Sequence, residues 1–151
     1  MSVCTFLAAD CPLATAAPSQ NYPLHINLDN GTVEDGGADD NFFLLPFSEV
    51  KTYTEKPYAV CLERHYTPGR AEQIIRYIRN ALQQTDAVEI WHVWLMEYWE
   101  FEDRPVIHRK TVSIDTLTPV QLRELDDSEI WNTPDRQYPE RPSFYCLSVT
   151  K

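Results

Sequence analysis

The sequence predicts a single α+β domain over residues 1–151. It is an antiparallel or mixed β-sheet with one main helix, about Pro68 to Gln84, and one short helix packed on one face. Three observations carry this. A chain of 151 residues suits one domain and is short for two. Several runs of four to eight residues, rich in β-branched and aromatic side chains, are separated by turn signals. One segment alone carries a long apolar stripe at helical spacing.

Val3 to Ala8 opens the chain as a strand, and 10–23 follows as a loop rich in Ala, Pro, Ser and Asn. Leu24 to Leu28 alternates apolar and polar residues. The Asp29-Asn30-Gly31-Thr32 sequence then predicts a type I′ hairpin into a short strand at Thr32-Val33. The loop from Glu34 to Asn41 is acidic. Phe42 to Phe47 is a compact apolar run, read as a buried strand or core plug, and Glu49 to Pro57 reads as a polar turn. Tyr58 to Tyr66 is the next strand, with Tyr58, Val60 and Leu62 on one face and Ala59, Cys61, Glu63 and His65 on the other.

Thr67-Pro68 starts the main helix, because Thr is a favoured N-cap and Pro suits the first helical position. Ala71, Ile74, Ile75, Ile78, Ala81 and Leu82 form its apolar stripe. Val88 to Trp99 is apolar on both faces and so predicts a central strand. Val106 to Ile114 is expected to pair with it antiparallel across the short charged turn 100–104. Thr118-Pro119 repeats the helix start and predicts a short helix through about Leu125. A polar, Pro-rich loop over 126–142 leads to a last strand, Phe144 to Val149.

Composition narrows the function. Hydrophobic residues make up 43% of the chain, enough for a core. The net charge of −10 argues against nucleic acid and against an anionic membrane surface, both of which are bound mainly through Lys and Arg. The charge is uneven: residues 1–50 hold seven acids and no Lys or Arg. No stretch approaches the ~20 apolar residues of a membrane span. The apolar start lacks the basic region of an export signal, so a cytoplasmic protein with four reduced thiols is expected.

No motif names a reaction. Cys4, Cys11, Cys61 and Cys146 include no Cys-x-x-Cys pair. His25, His65, His92 and His108 lack close ligand spacing, and 34–41 lacks the alternating acids of a calcium loop, so neither metal nor cofactor is expected. The chain therefore reads as a non-catalytic interaction module of the inhibitor or immunity type. A basic protein partner would meet the acids Glu34, Asp35, Asp39 and Asp40, and Tyr98, Trp99 and Phe101 would supply an aromatic contact or a homodimer interface. The alternative is a small-molecule-binding domain or small hydrolase on the open face of the sheet, built from Cys61, Glu63, His65 and His92. Cys61 and His65 are about 13 Å apart along one strand, so a histidine from another strand would have to act as base.

Overall fold

A computed structural model describes residues 3–15, 25–34, 42–62, 66–95, 106–128 and 143–151. The chain order is β1 (Val3–Ala9), β2 (His25–Asn27), β3 (Thr32–Glu34), β4 (Phe42–Leu45), α1 (Phe47–Val50), β5 (Tyr58–Leu62), α2 (Pro68–Ala81), β6 (Ala87–Trp94), β7 (Val106–Ser113), α3 (Pro119–Asp126) and β8 (Ser143–Thr150). Six strands form one mixed sheet in the order β4-β5-β1-β6-β8-β7, and β2-β3 is a separate hairpin. This is the α+β class expected.

The helix starts form for the expected local reasons. Thr67 Oγ1 accepts the Arg70 backbone N–H at 3.2 Å with Pro68 behind it. In α3 the Gln121 side chain accepts the Thr118 backbone N–H at 2.8 Å. α2 stops at Ala81, and residues 82–84 are a turn rather than a last helical turn. Ile74, Ile75 and Ile78 of α2 and Leu122 and Leu125 of α3 lie buried against Leu7, Val60, Ile90 and Leu147 of the sheet. Both helices thus cover one face.

The opposite face is not open at its centre. Phe6, Trp91, Phe144, Cys4, Cys61 and Cys146 form a second apolar layer there, and Leu45, Val50 and Tyr53 pack on it. The segment read as a polar turn therefore starts inside α1, and Val50, Tyr53 and Thr54 are all buried. Their i, i+3, i+4 spacing explains this: a single helical turn points all three at the sheet.

Two further expectations change. β7 does not pair with β6. β8 lies between them, antiparallel to β6 and parallel to β7. Parallel neighbours need a long crossover, and α3 supplies it, so the short 100–104 link did not dictate adjacency. In the hairpin, Asn27 pairs with Thr32 and leaves four loop residues, 28–31. Only Gly31 has positive φ, at 68°. Because Asn30 does not, the turn is not type I′ but a longer loop closed by glycine.

Candidate functional site

Asp35, Asp39, Asp40, Glu63, His65, Tyr98, Trp99 and Phe101 lie outside the described residues. Glu34 is the last residue of β3, opposite His25. The two remaining members of the alternative site are both described, and the structure separates them. Phe6 pairs with Cys61 and with Trp91, so Cys61 shares the Trp91 face. His92 is opposite Thr5 and points to the other side, where its Nδ1 lies 3.0 Å from Thr5 Oγ1 in a buried contact. His108, on another strand, also lies on the helix side, stacked on Tyr145 at 4.9 Å between ring centroids. Neither reaches Cys61, because a side chain cannot cross the sheet.

The thiols are buried and free of disulfides. Cys4 is held well above the usual thiol range, first by its hydrogen bond with Cys61 and then by burial. Cys146 is pushed up to about 12 by burial, with Glu89 adding and Arg109 opposing. Both are neutral thiols near pH 7, the opposite of an activated nucleophile.

A different surface stands out at the β4 edge. Phe42 and Leu45 point inward, and Phe42 stacks on Tyr77 of α2 at 4.2 Å. Phe43 and Leu44 point out on either side of the strand. With Phe47 at the start of α1 and Tyr58 of β5, they leave 41%, 66%, 41% and 41% of their surface accessible. The run read as buried is thus half exposed. Nothing in its composition distinguishes a central strand from an edge, since that depends on which strands flank it. Among the described residues no strand pairs with the outer side of β4.

Two other groups of side chains converge. On the Trp91 face, Glu89 Oε2 accepts Thr54 Oγ1 at 2.5 Å and Trp91 Nε1 at 2.8 Å. Arg109 lies 3.6 Å from Glu89 Oε1 and 4.9 Å from the Trp91 ring centroid. This cluster ties the covering segment to the sheet. On the helix side, a groove of about 240 Å³ opens between α3 and the β7–β8 edge, with His108, Lys110, Glu124 and Tyr145 around a floor of Leu125 and Leu147. Among the described residues no three His, Cys, Asp or Glu side chains gather as metal ligands, and no helix is long and apolar enough to cross a membrane.

Comparison with known proteins finds no family model, curated protein or solved structure that matches the chain.

Proposed function

We propose that the chain is a non-catalytic protein-binding module that engages a basic partner along the β4 edge. The exposure of Phe43 and Leu44 on the edge strand β4, with Phe47 at the start of α1 and Tyr58 on the neighbouring β5, carries this reading. Large aromatic and aliphatic side chains gathered at the surface are the usual centre of a protein interface, and an edge strand offers unpaired backbone groups besides. The partner's charge follows from the sequence. Asp35, Asp39 and Asp40 lie two to seven positions before Phe42, and the whole chain carries −10. Acids a few positions before an apolar edge strand favour a partner rich in Lys and Arg and speed encounter.

The test is a photo-crosslinking amino acid placed at Leu44 in the native host, with Glu72 on the exposed side of α2 as control. A single basic protein should be captured at Leu44 and not at Glu72. Its yield should fall at high salt and in the Asp35, Asp39 and Asp40→Asn variant. Equal capture at both positions, capture of only a second copy of the chain, or indifference to salt and charge would each overturn the reading.

The groove beside α3 favours a second reading, a small-molecule-binding domain. Lys110 and His108 would face a carboxylate, and Leu125 and Leu147 would face an apolar body. Its volume is below the ~300–1,000 Å³ of drug-sized ligand sites, so a compact ligand is required. Chemical-shift mapping with small carboxylates should move the His108 and Tyr145 resonances if this reading holds.

A further inference from the structure

The strongest unassigned feature is the thiol pair on the Trp91 face. β1 and β5 are antiparallel neighbours with Phe6 opposite Cys61, so Cys4 is a diagonal neighbour of Cys61 on the same face. Their sulfurs lie 3.2 Å apart although the residues are 57 positions apart in sequence. A disulfide bond is about 2.05 Å long, so closure needs roughly 1.1 Å of approach between the sulfurs.

We propose that Cys4 and Cys61 are the site of a reversible disulfide. The surroundings favour this product over a bound soft metal. The pair lies in an apolar cluster with Phe6, Ala59 and Val93. The Glu49 carboxylate acts on Cys4 in the direction that disfavours a thiolate. Two thiolates on a monovalent ion would leave a buried negative charge, which is costly, whereas a disulfide is neutral. The oxidant is a small disulfide such as glutathione disulfide. One protein thiolate attacks it, releasing one small thiol and leaving a mixed disulfide. The second protein thiolate then attacks the protein sulfur and releases the other. Two S–H bonds and one S–S bond are consumed, one protein S–S bond forms, and both protons leave on the two small thiols.

The position also sets the rate. Cys4 and Cys61 are only 5% and 9% exposed, so the closed sheet shields them. They are, however, the second residue of β1 and the second-last of β5, and Val3 beside them is 48% exposed. Fraying of this end of the β1–β5 pair, between β4 and β6, would admit an oxidant. The site is therefore slow to oxidise and depends on local opening.

The test uses the full-length protein equilibrated in glutathione buffers of graded ratio, approached from both the reduced and the oxidised side. Thiols are then alkylated and the unreduced digest is mapped by mass. The expected product is one Cys4–Cys61 cross-link, with Cys11 and Cys146 alkylated, reversed by a dithiol reductant. Its formation should accelerate severalfold at low urea, below global unfolding. The Cys11→Ser and Cys146→Ser double variant should keep the cross-link, which guards against scrambling. Persistent free thiols at Cys4 and Cys61 in the most oxidising buffer, glutathione adducts that never close, or pairing with Cys11 or Cys146 would each overturn the proposal.

Discussion

The Thr54 hydroxyl donates to Glu89 at 2.5 Å, tying the segment after α1 to the middle of a central strand. The same carboxylate oxygen accepts the indole N–H of the fully buried Trp91. Glu89→Ala should therefore leave two donors without their carboxylate and loosen the cover over Phe6 and Phe144. A loss of about 1–3 kcal/mol is expected from orphaned donors, read as a lower urea midpoint with increased tryptophan accessibility to a quencher. Thr54→Val should cost less, because it removes one donor and leaves the Trp91 bond in place.

Ile78 is fully buried in the α2 stripe. Ile78→Ala should destabilise by about 2–5 kcal/mol, from lost burial and the cavity left behind. An unchanged urea midpoint would contradict the packing of α2 on the sheet.

Thr67→Ala should cost about 0.5–2 kcal/mol by removing the acceptor for the Arg70 N–H, and Thr67→Ser should restore most of it. Far-UV circular dichroism during urea titration reads this directly.

Stability should fall in alkali. Burial raises Cys146 from 9.0 to about 12 and Tyr77 from 10.0 to about 12, and Cys4 moves in the same direction. For each group the unfolded chain loses its proton first. Above pH 9 the unfolded state therefore binds fewer protons than the folded one, and stability drops as pH rises. The contribution is fully present below about pH 9 and is lost progressively toward pH 12. Urea midpoints measured between these limits should decline, and Cys146→Ala should decline less steeply. A flat profile would show that these groups are not buried in solution.

All four thiols should titrate in the unfolded, reduced protein and react slowly in the folded one, because each is buried. Rapid labelling of the native protein would contradict the two packed layers.

The parts legible in the sequence are those set by neighbours along the chain. The Thr67-Pro68 start, the Ile74–Ile78 stripe and the need for glycine at position 31 rest on capping, helical period and backbone sterics, each acting within a few residues. The Val50, Tyr53 and Thr54 spacing was equally local. A polar composition masked it, since Thr54 is buried through a hydrogen bond rather than by being apolar.

What could not be read off in this way is which strands become neighbours. Phe43 and Leu44 look like core until β4 takes the edge, and β7 looks like the partner of β6 until β8 takes the place between them. The same holds for the separation of Cys61 from His92 and the approach of Cys4 to Cys61. Strand pairing is settled by burying both faces of the whole sheet at once. A choice of neighbour or register at one strand flips or moves side chains that lie far apart along the chain.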